Sequence, residues 1–250
     1  EGAALHCLAL YITTETSYQL VGHYPQFDSL NFYEQILLTC NWLALGCVYL
    51  HRAKLAGTLA KLYKVAGFAL AGLAGLFAIK TLLEDNPLFE SLYIGELPIF
   101  NWLLLLWLVP AGLTLWLAKL VKPINAKATP FILAVAGGFI LLAINSFIRQ
   151  YWQGPYIYLS KGASNAELYS YSVIWLVLGA GTVIFGHLKN QLLIQKVGLG
   201  ILAAVIVKVF LIDMANLEGL LKALSFIGLG LSLVGLSWLF QKLRSRVNPV

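Results

Sequence analysis

A succession of apolar stretches, separated by short polar connections, constrains the fold of this chain more than any other feature. A short first run from Ala3 to Ile12 is followed by segments at about 34–51, 60–83, 98–119, 130–149, 168–187, 194–212 and 223–242. Each of the seven later segments is long enough to cross a bilayer, which takes roughly 20 residues of helix at ~1.5 Å of rise per residue. Backbone in lipid must satisfy its own hydrogen bonds, and a helix does so within one segment. Composition agrees. The chain is 60% hydrophobic and 11% charged, whereas a soluble domain carries about 25% charged residues. The expected fold is an all-α integral membrane protein with about eight transmembrane helices.

Charge placement gives that fold an orientation. Arg52, Lys54, Lys61 and Lys64 fill one connection, and Lys119, Lys122 and Lys127 fill the second one after it. Lys189 and Lys196 occupy the next alternate connection, and Lys242, Arg244 and Arg246 the tail. The intervening connections hold Glu15, Asp28, Glu34, Glu84, Asp85, Glu90, Glu96, Glu167, Asp213 and Glu218. By the positive-inside rule the basic side is cytoplasmic, the tail lies inside and the acidic connections lie outside. The net charge of +6 sits in short loops rather than on a soluble surface, so nucleic acid is excluded as a partner.

The first run is too short to span, and no basic n-region or small-residue cleavage site accompanies it. It reads as the outer half of a helix whose start is missing, which makes the missing N-terminal part of the same protein an expected partner. Most prolines sit in connections or at helix starts. Pro110 falls inside WLVPAGLTLW, where the loss of a backbone bond predicts a kink.

The chain also repeats. A shift of 133 aligns Glu34, Trp42, Leu43, Leu45 and Gly46 with Glu167, Trp175, Leu176, Leu178 and Gly179. A shift of 128 aligns Gly72, Lys80, Leu83, Asp85 and Glu90 with Gly200, Lys208, Leu211, Asp213 and Glu218. The expected organisation is two parallel four-helix repeats, 1–122 and 123–250. Parallel repeats occur in transporters with a substrate site between halves, and wherever a helical unit has been duplicated.

The repeat brings the candidate site residues in pairs. Lys80, Asp85 and Glu90 recur as Lys208, Asp213 and Glu218, each lysine lying inside an apolar segment near its outer end. An intramembrane charge is costly, so its partner is to be sought. On a straight helix, residues five apart diverge by about 140° and ~7.5 Å, a poor geometry for direct pairing. A partner on another helix is expected, with Glu34 and Glu167 first in line. The plain alternative is a lysine that snorkels to the interface. Lys80, Lys208, Asp85, Asp213, Glu34 and Glu167 are six candidate binding residues, and Arg149 is the seventh. It stands among Tyr151, Trp152, Tyr156 and Tyr158, where an outward guanidinium could bind a lipid phosphate or stack on a sugar ring. An aromatic belt with an anchoring arginine is the simpler account. The stretch 13–33 carries a matching set in Tyr18, His23, Tyr24, Phe27 and Phe32, which favours an ordered external cap.

Stripes of small residues, Gly67–Ala71–Gly75, Gly200–Ala204 and Gly228–Ser232, fit close helix packing. Cys7, Cys40 and Cys47 sit in apolar stretches and read as small buried hydrophobes; Cys40 and Cys47, two turns apart on one face, are too far apart for a disulfide. Neither a Walker loop, HExxH, nor a GxSxG elbow occurs, and no catalytic residue, metal ligand set or cofactor is assigned.

The stretches NSFIRQ (145–150), AELYSYSVIW (166–175), KVFLID (208–213) and LSFIGLGLSLVGLSWL (224–239) resemble the C-terminal part of a bacterial family of multi-spanning membrane proteins, domain of unknown function 2339. The resemblance is clearest over 140–245. It implies a bacterial inner-membrane location and longer relatives with more helices, and it supplies no activity. The functional expectation is transport or envelope-related handling of a small or lipid-linked solute. Membrane lipids are the surrounding partners, with a lipid or solute at the outer face. The alternatives are a non-catalytic scaffold and an envelope-modifying enzyme with an outer-face site.

Overall fold

The computed structural model describes residues 2–22, 30–213 and 226–238. Those residues form helices and connections, without a strand among them. The helices are α1 (Gly2–Val21), α2 (Phe32–Arg52), α3 (Ala60–Leu83), α4 (Leu104–Val121), α5 (Thr129–Gln153), α6 (Asn165–Leu188), α7 (Leu192–Asp213) and α8 (Phe226–Trp238). Five of them, the α3 span with its leading turn from Gly57, α4, α5, α6 and α7, are long and apolar enough to cross a membrane. Polar residues such as Gln35, Asn41 and Glu15 set α2 and α1 apart from that group, and the described part of α8 is shorter.

Backbone packing divides the chain into two compact units, Glu1–Lys161 and Gly162–Val250. In the first, α2 is the central helix and packs against α1, α3 and α4, while α4 packs against α5. Its buried side chains run the length of the unit. Phe32, Ile36, Leu103, Leu106 and Trp107 cluster near the start of α2, and Cys47, Leu50, Leu120 and Val121 near its end. In the second unit α6 and α7 form a tight antiparallel hairpin.

Glycine sets how closely the helices pack within each of two hairpins, α2–α3 and α6–α7. A Cβ on Gly46 would sit 2.9 Å from the Gly67 carbonyl oxygen, and one on Gly198 would sit 2.7 Å from the Val183 nitrogen and 3.0 Å from the Gly179 oxygen. Backbone meets backbone at these points, which is what small residues permit between membrane helices.

Three elements differ from the sequence reading, each for a local reason. The polar stretch after Ile12 stays helical to Val21, so Tyr18 lies on α1, and Phe32 begins α2 as a buried residue. The hydroxyls of Thr13 and Ser17 face α2 and meet Asn41 and Glu34 there. His23, Tyr24 and Phe27 lie outside the described residues. The fourth segment becomes helical only past Asn101, because Gly95 and Ile99 adopt positive φ (102° and 70°) and hold 95–101 in turns. Pro110 is accommodated by a π-helical turn over Leu104–Leu108 directly before it. A wider turn re-spaces the carbonyls where the proline lacks its N–H.

The ordered cap is built from two connections. Ile94 N–H donates to the Pro155 oxygen (3.0 Å) and Leu159 N–H to the Leu88 oxygen (2.7 Å). Tyr93 and Tyr156 meet edge-on with centroids 5.7 Å apart. Gln150 Nε2 donates to the Gly95 oxygen at 3.0 Å, and Asn101 Nδ2 to Gln150 Oε1 at 2.7 Å. The aromatic connection after α5 therefore closes over the turns before α4.

Candidate functional site

The two hairpins begin alike. Asn31 caps α2, its side chain accepting from the Glu34 N–H at 3.0 Å while Glu34 Oε2 accepts from the Asn31 N–H at 3.0 Å. This reciprocal box satisfies two otherwise orphaned donors. Ser164 caps α6 at the same offset, its Oγ accepting from the Glu167 N–H at 3.2 Å. Both acids are buried, Glu34 at 1% exposure and Glu167 at 0%. Glu34 Oε1 accepts from Ser17 Oγ at 2.5 Å, and Glu167 Oε1 from the Tyr171 hydroxyl at 3.1 Å. Glu34 thereby ties the start of α2 to α1, Glu167 bonds within the first turns of α6, and Lys80 and Lys208 take other partners.

The lysines have partners on their own helices. Lys80 Nζ lies 3.7 Å from Glu84, one turn on, with the two side chains 33% and 65% exposed. Asp85 falls beyond the end of α3 and accepts from Gln35 Nε2 at 2.5 Å, and Thr81 Oγ1 lies 3.1 Å from Gln35 Oε1.

In the second hairpin position 212 is isoleucine, so no acid stands four residues after Lys208. Here Lys208 pairs directly with Asp213, Nζ to Oδ1 at 2.6 Å. The straight-helix geometry that disfavours this pair does not apply, because Val209–Asp213 is a π-helix. Its i→i+5 bonding places residues five apart on one face. Ser172 of α6 completes the cluster, accepting from Lys208 Nζ at 2.7 Å and donating to Asp213 Oδ2 at 2.5 Å. The Leu168 carbonyl accepts the third ammonium proton at 2.9 Å. The ammonium thus has three acceptors for its three donors. Lys208 is 24% exposed, while Asp213 is 4% exposed.

Arg149 points inward. It is 3% exposed, and its Nε and Nη2 donate to the carbonyls of Ile157 and Tyr158 at 2.5 and 2.8 Å. It clasps the connection that follows its own helix. Of the seven residues, the structure brings together Lys208 and Asp213. It places Lys80, Asp85, Glu34, Glu167 and Arg149 in separate local arrangements.

Sequence reasoning missed Ser172, Gln35, Thr81 and Ser17 as partners. A signal existed for Ser172, since the shift of 133 aligns it with Thr39, and both positions carry a hydroxyl. Cys40 and Cys47 donate weakly to carbonyls of α4, those of Leu105 (3.1 Å) and Leu113 (3.4 Å), as small packed side chains do. Among the described residues no group of three His, Cys, Asp or Glu is placed to hold a metal.

Several long apolar helices, backbone-close hairpins and charges settled by partners inside apolar segments define a multi-spanning α-helical membrane protein. The chain matches the family model described as Predicted membrane protein (DUF2339) over residues 1–243, and it belongs to that family. The match takes in the first half as well as the second, where the cadence is clearer in the sequence. No curated protein and no solved structure shows significant similarity to the chain.

Proposed function

We propose that the chain is a bacterial inner-membrane protein that transports, or otherwise handles at the outer face, a small or lipid-linked solute carrying an anionic group. The Lys208–Asp213–Ser172 cluster carries this reading. The ammonium is the more accessible member of the pair, and its partner carboxylate is held by a serine of the facing helix. An incoming anion competes with Asp213 for Lys208, and Ser172 holds the displaced carboxylate. The π-turn supports this role, since such turns are frequent at functional sites.

The same reading takes the chain as eight spans in two parallel four-helix repeats, 1–122 and 123–250, with the C-terminus cytoplasmic. Its support is the shared cap offset of Asn31 and Ser164, the buried acid three residues after each, and the glycine contacts of both hairpins. The basic connections and the positive-inside rule support the orientation. A scaffold role is the second reading. It is favoured by Lys80, whose pairing with a largely exposed Glu84 is that of a snorkelling lysine.

The test uses the purified full chain in detergent with dodecyl phosphate as the probe. It is expected to raise the melting temperature of the parent and of Lys208→Arg, and to leave Lys208→Ala unmoved. An equal rise in Lys208→Ala refutes the anion site.

A further inference from the structure

Two connections of the first unit meet at one end of it. Residues 53–59 join α2 to α3, and 122–128 join α4 to α5. Leu50, near the end of α2, shares a buried cluster with Leu120 and Val121 of α4, and Ala128 and Ile132 pack against that cluster. The His51 and Trp116 rings stand 6.3 Å apart across the same two helices. The helices α3, α4 and α5 are all long and apolar enough to cross a membrane. Both connections therefore lie where spans leave the hydrocarbon, at a single bilayer surface.

Charge and hydropathy at this end select a partner together. Lys54, Lys61, Lys64, Lys119, Lys122 and Lys127 are all exposed there. No Asp or Glu occurs between Glu34 and Glu84, or between Glu96 and Glu167, so neither connection supplies an acid of its own to these lysines. Leu55, Leu59 and Leu62, which stand among the lysines of the first connection, are each more than half exposed. A soluble polyanion answers the lysines and leaves the leucines in water. A neutral lipid surface answers the leucines and leaves the lysines uncompensated. A second copy of this end brings like charge to like charge. An anionic bilayer surface meets both demands. Its phosphates lie directly above the acyl boundary in which apolar side chains bury, and lysines next to a span gain from anionic lipid at close range.

We propose that this end of the first unit is a docking surface for anionic phospholipid headgroups. The six lysines hold the phosphates, while Leu55, Leu59 and Leu62 seat the 53–64 segment at the acyl boundary. No residue of the Lys208 cluster takes part, so the two readings fail separately. The full chain is reconstituted in phosphatidylcholine vesicles holding a small share of phospholipid with a diazirine beside its phosphate. The probe is phosphatidylglycerol in one sample and phosphatidylcholine in the other. Photolabelled peptides are mapped by mass spectrometry, with elution profile and circular dichroism confirming that each variant folds. Across 53–64 and 119–128 the phosphatidylglycerol probe is expected to label about fivefold more than the phosphatidylcholine probe, the gain from one lysine near an anionic headgroup. The acidic stretch 84–101 of the same unit is the internal reference, where no preference for phosphatidylglycerol is expected. Lys54→Gln/Lys61→Gln/Lys64→Gln should abolish the preference at 53–64, and the triple arginine variant should keep it. Salt at about 1 M, where the screening length is ~3 Å, should lower it. Leu55→Asn/Leu59→Asn/Leu62→Asn should lower labelling of 53–64 by both probes alike. Equal labelling by the two probes in the parent overturns the proposal, as does an equal preference at 84–101 or one that salt leaves intact. So does a preference that persists in the folded glutamine variant, or undiminished labelling in the folded asparagine variant. The salt and reference arms use the parent alone and stand whether or not the variants fold.

Discussion

Replacing Lys208 with methionine tests the cluster most directly. The substitution keeps the side-chain length and removes the charge, leaving the Asp213 carboxylate 4% exposed with Ser172 as its remaining cluster partner. Breaking a buried pair by removing one partner costs about 3–5 kcal/mol. Because the lysine itself is 24% exposed, part of its attraction to Asp213 is screened, which places the cost near the lower end, ~3 kcal/mol. Asp213→Leu is milder. The ammonium keeps the Leu168 carbonyl and Ser172 Oγ and can reach the surface, so the loss is about one charge-assisted hydrogen bond, ~1.5 kcal/mol. The double variant Lys208→Met/Asp213→Leu removes both charges and leaves none stranded, an exchange that is often close to neutral. Its stability is therefore expected to exceed that of Lys208→Met alone and to approach the parent's, with a coupling of about 4.5 kcal/mol in the double-mutant cycle, the sum of the two single losses. Unfolding of the full chain in mixed micelles, titrated with a denaturing detergent and followed by circular dichroism, reads all four proteins. Lys208→Met as stable as Asp213→Leu, or a double variant carrying the sum of both losses, refutes the view that Asp213 depends on this lysine.

Two further predictions rest on other parts of the molecule. At the α6–α7 crossing, Gly198→Leu drives a side chain against the Val183 backbone nitrogen and should abolish folding or cost more than ~3 kcal/mol, whereas Gly200→Leu, with open space around it, should melt within a few degrees of the parent. Arg149→Gln loses the bonds to Ile157 and Tyr158 and should destabilise by about 2–3 kcal/mol; limited proteolysis should then open the 154–161 connection first, and an unchanged cleavage pattern contradicts a clasp.

What the sequence made legible is what local pattern controls. The apolar segments became helices close to where they were expected, because length and hydropathy are properties of each segment alone. Glu34 and Glu167 stand at helix starts because the cap and its acid are three residues apart. The rest depended on partners distant in the chain. Arg149 reads as an outward arginine among aromatics, yet its acceptors are carbonyls of a connection whose fold is fixed by 88–94. The helical continuation of α1 rests on Ser17 and Thr13 meeting Glu34 and Asn41, and nothing in residues 13–21 announces it.

The Lys-x4-Asp pattern shows most clearly how one sequence motif yields two electrostatic outcomes. After Lys80 the α-helix ends at Leu83, and Glu84 stands at the i+4 position that suits a lysine. The ammonium turns to it, and Asp85 is released to Gln35. After Lys208 the corresponding position is Ile212, which offers no charge. The ammonium then has Asp213 as its acid, and that residue comes within reach only if the helix widens by one residue per bond. The two lysines thus differ in one neighbour, Glu84 against Ile212, and the first sits in an exposed pair while the second sits in a sheltered, three-membered cluster. The two hairpins share their caps and their glycine contacts, so the packing frame tolerates either outcome. The lysine with an acid four residues on takes the exposed pair, and the lysine without one takes the sheltered cluster.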